Sequence, residues 1–325
     1  MLAKIIEDRR ETRVIGEYDV VVAGGGIAGV AAALAAARAG SKVCLLEKFC
    51  ALGGLATIGN VIIYLPLCDG MGNQVSAGIC EELIRLSVDD VEAPFPSLRV
   101  EKIPACWERG GDLEERKKHR YRTGYNPVTF LYKLERLLLK NRVKILYDTR
   151  FCTVSKQGDR ITAVTVENKS GRVALACKAV VDASGDADVC YEAGEETVSL
   201  HSNVRCGWYY YVENGEVKLA PVTKMPRPDG KRAPESGRNY RGDDGAQVSA
   251  MVLDSRQFIM EDLAQRAAKS GAVVYPINVP TMPCFRMSRR LVGTHTLRER
   301  DNHRWFTDTL GLTGDWRSQA SQVVL

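Results

Sequence analysis

The chain has 325 residues, 45% of them hydrophobic and 26% charged, with a net charge of +5. That length can bury a large core and suggests about two domains. Ordinary composition excludes a disordered or fibrous chain, mild dispersed charge argues against nucleic-acid binding, and no run of about 18 apolar residues is present to span a membrane.

The first twenty residues, MLAKIIEDRRETRVIGEYDV, are charged and lack the apolar core and cleavage site of a signal peptide. A cytoplasmic location is therefore the expectation. Residues 18–48 then spell a βαβ unit, YDVVVAGGGIAGVAAALAAARAGSKVCLLEK. Val20 to Ala23 form a short apolar strand, Gly24, Gly26 and Gly29 occupy a GxGxxG turn, and an alanine-rich helix runs to about Arg38. Gly40 ends that helix, and Val43 to Leu46 make a second strand closing on Glu47. In such a turn the first glycine permits the tight bend, the second admits a pyrophosphate, and the third lets helix and sheet approach. The diphosphate would rest on free N–H groups at the helix N-terminus. An acid at Glu47 suits a free ribose 2′-hydroxyl, as in FAD or NAD, over the phosphate of NADP.

After Glu47 comes KFCALGGLATIGNVIIYLPLCDGMGNQVSAG, glycine-rich yet apolar at Leu55, Val61, Ile62, Ile63 and Leu65. Its composition predicts a buried, ligand-facing segment in place of a surface loop. Gln74 to Leu86 reads as a helix from Ile79, Leu83 and Leu86, and residues 88–124 as irregular. Within them the basic run Arg116 to Arg122 is expected to be a solvated face. Pro127 opens a helix to Lys140 with Phe130, Leu131, Leu134 and Leu138 on its apolar side.

Val143 to Tyr147, Arg150 to Ser155, Ile161 to Glu167 and Val173 to Cys177 follow as short strands, a strand and then a small antiparallel meander. A further strand, Ala179 to Asp182, enters the small-residue turn Ala183-Ser184-Gly185-Asp186 before a helix. That turn sits where parallel sheets bind ligands, at the carboxyl ends of the strands. From Glu195 to about Pro280 the pattern loosens. Trp208, Tyr209, Tyr210 and Tyr211 lie on a strand, where a tyrosine could protonate substrate but a core or capping role is expected. A polar excursion, TKMPRPDGKRAPESGRNYRGDDG, precedes a helix over Gln257 to Lys269. PCFRMSRRLVGTHTLRERD gathers Arg286, Arg289 and Arg290; arginine forks there read either as a clamp for an anionic group or as ion-paired surface residues. His295 lies beside them, more in keeping with structure than with acid–base work.

The ten cysteines form no CxxC pair, and the four histidines do not cluster with them, so zinc, iron–sulfur and dithiol-relay frameworks lack their spacing. No metal is expected, and most of the thiols are read as small buried hydrophobes.

Together these stretches resemble the FAD-dependent oxidoreductases of the glutathione-reductase-like two-dinucleotide-domain class. Within it they are most similar to the bacterial family known simply as FAD-dependent oxidoreductases. The resemblance rests on YDVVVAGGGIAGVAAALAAARAG with Glu47, LGGLAT, VVDASGDADV, PCFRMSRRLVG and GLTGDW, and spans nearly the whole chain. It implies an α/β fold: a Rossmann-like FAD-binding domain over 15–70 and 125–195, its parallel sheet joined to a small antiparallel meander. A mixed α+β substrate or cap region would comprise 71–124 and 196–325. FAD is the implied cofactor. Gly24, Gly26, Ile27, Ala28 and Gly29 would face its pyrophosphate, and Glu47 its ribose. Lys48, Gly53, Gly54, Ala56 and Thr57 would lie along the flavin side, and Ala183, Ser184, Gly185 and Asp186 would approach from across. The strand around Phe151 matches in order only, and Arg286 and Arg289 match a motif without an assigned role.

The implied activity is transfer of a hydride or electrons between flavin and an unidentified, possibly anionic small molecule, without nucleic-acid or membrane partners. Similar proteins continue past GLTGDW with a further flavin-facing segment, so a shortened, non-catalytic nucleotide-binding fragment is one alternative. A flavin-dependent tRNA-modifying enzyme and a plain NAD dehydrogenase are the others.

Overall fold

The computed structural model describes residues 11–64, 66–89, 102–222, 238–285, 288–296 and 298, positions 301, 304, 306 and 307, and backbone at 312–314 and 322–324. Its strands are β1 (Val14–Ala23), β2 (Val43–Leu46), β3 (Ile63–Tyr64), β4 (Thr123–Gly124), β5 (Lys144–Leu146), β6 (Arg150–Gln157), β7 (Arg160–Asn168), β8 (Gly171–Asp182), β9 (Thr197–Ser199), β10 (Trp208–Glu213), β11 (Glu216–Pro221), β12 (Val274–Asn278), β13 (Arg289–Leu291), β14 (Leu312–Gly314) and β15 (Gln322–Val324). The helices are α1 (Ile27–Arg38), α2 (Ile79–Val88), α3 (Leu113–Lys118), α4 (Pro127–Lys140), α5 (Asp188–Glu192) and α6 (Gly245–Ser270).

Six strands form one sheet in the order β5-β2-β1-β8-β7-β6. The first four run parallel, and β8, β7 and β6 continue it as an antiparallel meander. This is the Rossmann-like α/β arrangement, with further small antiparallel sheets. Apolar residues on α1 and α4, among them Val30, Leu34, Phe130 and Leu134, pack with Val22 and Leu45 into one core. Val21, Cys44 and Leu46 join Val164, Val166 and Leu175 of the meander in a second. Successive strand residues face opposite ways, so a four-residue strand such as β2, buried throughout, supplies both cores.

Several elements differ from their expected form. Among them, α3 and β4 lie in the stretch expected to be irregular, α3 being capped by Asp112 accepting from the Glu115 amide. The strands expected at Val173–Cys177 and Ala179–Asp182 are one, β8, paired antiparallel with β7 and parallel with β1. Lys178 breaks the apolar run without breaking the ladder, since its side chain reaches out to Asp19 at 2.7 Å. The helix expected from Gln74 starts at Ile79: Gly78 has φ +65°, and the Val75 and Ser76 amides donate to the Leu67 carbonyl. Conversely, α6 begins twelve residues before the expected Gln257, because Asp244 caps it by accepting from the Gln247 amide. It ends at Gly271, where φ is +63°.

The sheet β11-β10-β12 packs Tyr209 and Tyr211 against Ile259 and Leu263 of α6. Its strand β12 is tied to the glycine-rich segment by Asn60, whose Nδ2 donates to the Asn278 side chain at 3.1 Å. Beside α2, Trp107 stacks on Tyr121 at 5.1 Å in a small satellite core. Among the described residues no helix is long and apolar enough to cross a membrane, and no group of three or more potential metal ligands occurs. Of the cysteines, 44, 68, 106, 177 and 284 are buried. Most of the polar excursion, 223–237, lies outside the described residues.

Candidate functional site

The carboxyl ends of β1, β2 and β8 open into a cavity of about 550 Å3. One wall begins with the glycine turn. Gly24 has φ +110°, and a Cβ there would stand 2.3 Å from the Ala183 carbonyl oxygen. A Cβ on Gly29 would stand 1.8 Å from the Gly24 carbonyl oxygen, so Gly29 serves helix–strand contact and does not line the cavity. Gly26 is different: it lines the cavity, its backbone is extended, and an added Cβ would meet nothing within 4 Å. No protein atom demands a glycine at that position. The open space there leaves room for close approach by a diphosphate to the α1 N-terminus. The first-turn amides of α1 have no partner within the helix, and no side chain caps it.

Glu47 lies beside this turn at 6% exposure. Its Oε2 accepts from the Gly25 amide and its Oε1 from the Phe49 amide, both at 2.8 Å. Burial pushes its pKa up, against the pull of those two amides and of Lys48. Each oxygen keeps a lone pair for a sugar hydroxyl. Thr149, Arg150 and Phe151, at the start of β6, also line the cavity, and the Thr149 amide donates to the Glu47 carbonyl at 3.0 Å. The sequence offered only strand order as a signal for them.

The expected ligand-facing segment forms the second wall. Gly53, Gly54, Leu55 and Ala56 make a short 3-10 turn bordering the cavity, with Val61, Ile63, Tyr64 and Tyr125 beyond it. The Gly53 amide donates to the Gly25 carbonyl at 2.8 Å, stitching this turn to the first wall. Thr57 is buried but does not line the cavity; its hydroxyl donates to the Leu52 carbonyl and so shapes the turn. The Tyr125 hydroxyl reaches the Val61 carbonyl at 2.8 Å, leaving a largely apolar face.

The third wall is the turn after β8, where Ala183, Ser184, Gly185, Asp186 and Asp188 line the cavity. Asp182, which the sequence reading passed over, organises it. It accepts from the Ser184 hydroxyl at 2.6 Å and from the Val189 and Cys190 amides at 3.0 Å each. Burial alone would raise its pKa, but these donors outweigh burial and hold the carboxyl below its ordinary value. The Ser184 hydroxyl also accepts from the Asp188 amide, so it is committed to the turn. Asp186 is left as the acid facing the cavity, its pKa pushed up chiefly by burial, with Lys48 and Arg289 pulling it back.

Of the two readings of the arginines, the ion-paired one fits Arg289. Arg289 donates Nη2 to Asp188 at 2.5 Å and Nε to the Asp186 carbonyl at 3.0 Å, so its fork is used within the protein. Arg286 lies outside the described residues. The cavity's fourth side is instead Met282, Pro283 and Phe285, which the sequence did not single out. His295 stands 3.1 Å from the buried Asp301 carboxylate, consistent with a structural role. In the basic run, Lys117 and Lys118 pair with Glu114 and Glu115, and Arg116 donates to the Cys106 carbonyl.

Residues 19–202, more than half of the chain, match the family model described as FAD dependent oxidoreductase. Among solved structures, the chain is similar to CabE, an aromatic hydroxylase from angucycline biosynthesis, at 18% identity and a TM-score of 0.44, over 84% of this chain and 52% of that one. It is similar to the p-nitrophenol 4-monooxygenase PnpA from Pseudomonas putida DLL-E4 at 17% identity and a TM-score of 0.42, over 61% and 48%. It is also similar to the OxyS anhydrotetracycline hydroxylase from Streptomyces rimosus at 17% identity and a TM-score of 0.39, over 61% and 37%. The chain thus spans from 37% to 52% of the length of these three structures.

Proposed function

Because the chain belongs to the FAD dependent oxidoreductase family, whose cofactor is FAD, we propose that the cavity described above is its FAD site and that the protein passes a hydride or electrons between the flavin and a small molecule. The observation that carries the assignment is Gly26, a cavity-lining glycine whose missing side chain would touch no protein atom. Diphosphate chemistry accounts for it: main-chain amides and the positive end of α1 hold negative charge, and a Cβ would keep the oxygens away.

The remaining residues fit the rest of the cofactor. Glu47 offers carboxylate lone pairs to the adenosine ribose, and Arg150 and Phe151 also line the cavity. The face formed by Val61, Ile63, Tyr64 and Tyr125 is the right chemistry for a flat apolar ring and keeps water from it. Bound flavin supplies the capacity to accept or return a hydride or electrons; the chain supplies orientation and charge around it. The passage of the parallel sheet into a meander through β8 supports placing this half in the glutathione-reductase-like class. The internal pairing of Lys117, Lys118 and Arg116 gives the RNA reading no support. Commitment of Arg289 to Asp188 means that this residue lends an anionic substrate no support.

The test is spectroscopic. Purified chain incubated with FAD and desalted should keep absorption bands near about 370 and 450 nm, which belong to the cofactor. A colourless protein after that treatment overturns the assignment. Bleaching of the bands under anaerobic conditions by a panel of reductants, followed by reoxidation, tests redox competence.

A further inference from the structure

Ser288, Arg289 and Arg290 do not line the cavity, yet Arg289 is heavily engaged beside it. Its side chain is 13% exposed and lies with its guanidinium 4.1 Å from the centre of the Tyr191 ring. Nε and Nη2 hold the Asp186 carbonyl and the Asp188 carboxylate. Next to it, the Ser288 hydroxyl donates to the Gly185 carbonyl at 3.4 Å. Two adjacent residues thus grip the cofactor-facing turn from Gly185 to Asp188.

That turn needs gripping. Gly185 has φ +85° and Ala187 φ +52°, and an alanine stays in the left-handed region only where its surroundings hold it there. Ala187 is also the residue before α5, so its conformation sets where the helix starts and where Asp186 points. A planar fork that bonds in two directions while stacking on an aromatic ring is a task for arginine, which lysine fills only in part.

We propose that Arg289 is a positioning residue for the cofactor: from β13 it locks the 185–188 turn in its left-handed form, so that Asp186 and the neighbouring backbone present a fixed wall to FAD. The assignment rests on the reading of the cavity as the FAD site. It gives the SRR segment a role at a distance of one residue from the cofactor. It also ties that wall to β9, which pairs with β13.

Fluorescence titration of the full chain with FAD, together with visible circular dichroism of the bound flavin, tests this. In Arg289→Ala the FAD dissociation constant should rise about tenfold or more, the size of a lost charge-assisted bond pair. The visible dichroism should change as well, because the flavin sits against a loosened wall. Arg289→Lys should recover part of both. Tyr191→Leu, at a half-exposed ring where folding is not at risk, should show a smaller change in the same direction. The control is Arg266→Ala, which breaks a comparable network to Asp262 and Tyr211 on α6 and β10, away from the cavity. It should lower the melting temperature while leaving FAD affinity within about twofold. An Arg289→Ala protein that binds FAD within about twofold of wild type overturns the proposal, as does equal weakening in Arg266→Ala. If Arg289→Ala does not fold, unchanged affinity and dichroism in both Arg289→Lys and Tyr191→Leu overturn it equally. Wild-type chain that takes up no FAD overturns the cofactor reading itself, and does so before any variant is compared.

Discussion

The Oε2 of Glu47 accepts the Gly25 amide at 2.8 Å, bonding the acid at the end of β2 to the middle of the glycine turn after β1. The residue expected to recognise a ribose therefore also fixes the geometry of the phosphate turn. Its second oxygen accepts from Phe49, so both oxygens face backbone donors. Glutamine is nearly the same shape but puts an NH2 against one of those N–H groups. Glu47→Gln should cost about 1–3 kcal/mol of stability through that buried mismatch. It should also weaken FAD binding by about tenfold or more through loss of the charged acceptor. Thermal melts of the apo chain and FAD titration measure the two effects separately. A variant unchanged in both would remove Glu47 from the site.

Gly26 and Gly29 make opposite predictions although they share a motif. An alanine Cβ at Gly29 would be 1.8 Å from the Gly24 carbonyl oxygen, so α1 must move off β1. Gly29→Ala should destabilise the fold by more than about 2 kcal/mol, as overpacking of close backbone contacts does. At Gly26 the added Cβ meets nothing within 4 Å and the backbone is already extended. Gly26→Ala should fold within about 0.5 kcal/mol of wild type and lose FAD. Calorimetry on the apo proteins and a desalting assay for retained flavin decide it; full FAD retention in Gly26→Ala would count against a diphosphate there.

These contrasts mark what the sequence makes legible. The β1-α1-β2 unit is readable because its determinants are local: three glycines, an alanine-rich helix and two apolar strands in one stretch. The motif also assigns Gly26 to a ligand and Gly29 to packing, and the space around each matches that division. Long-range partners explain the departures. Lys178 divides β8 on paper, but the parallel ladder with β1 carries the strand past it, from Tyr18↔Cys177 to Val20↔Ala179. The first half of α6 follows directly on a polar, proline- and glycine-containing stretch, and the Asp244 cap marks its start. Arg289 looked available for a ligand because Asp188 is about a hundred positions away in sequence. Thr149, Arg150 and Phe151 join the cavity through the position of β6, which no local pattern encodes.

The acid limb of stability should report Asp243. The Arg241 guanidinium beside it, helped by the Ser199 hydroxyl, lowers its pKa from 3.8 to about 2. A carboxyl with a lowered folded pKa binds protons more weakly in the native state than in the unfolded one. The stability it contributes is therefore complete above 3.8 and is lost as pH falls toward about 2. Arg241→Gln should raise the folded pKa, so that variant and wild type differ in urea midpoint at neutral pH and converge near pH 2. A constant difference across that range would mean that Arg241 acts by packing alone.

Adjacent tyrosines on β10 separate a bonded hydroxyl from an orphaned one. The Tyr209 hydroxyl donates to Asp262, which also holds Arg266 at 2.7 Å. The Tyr210 hydroxyl, on the opposite face of the strand, is buried without a hydrogen-bond partner among the described residues. Burial accordingly pushes its pKa above the ordinary phenol value. A buried hydroxyl that makes no bond costs the fold about 1–3 kcal/mol, whereas a bonded one contributes about 0.5–1.5 kcal/mol. Tyr210→Phe should therefore leave the melting temperature unchanged or raise it, while Tyr209→Phe lowers it and frees the Asp262 carboxylate. The pair is informative because ring size, strand and burial are matched, so the hydroxyl partner is what differs. If Tyr210→Phe destabilises the chain as much as Tyr209→Phe does, the Tyr210 oxygen has a partner in solution. The face of β10 turned away from α6 would then need a polar group opposite it.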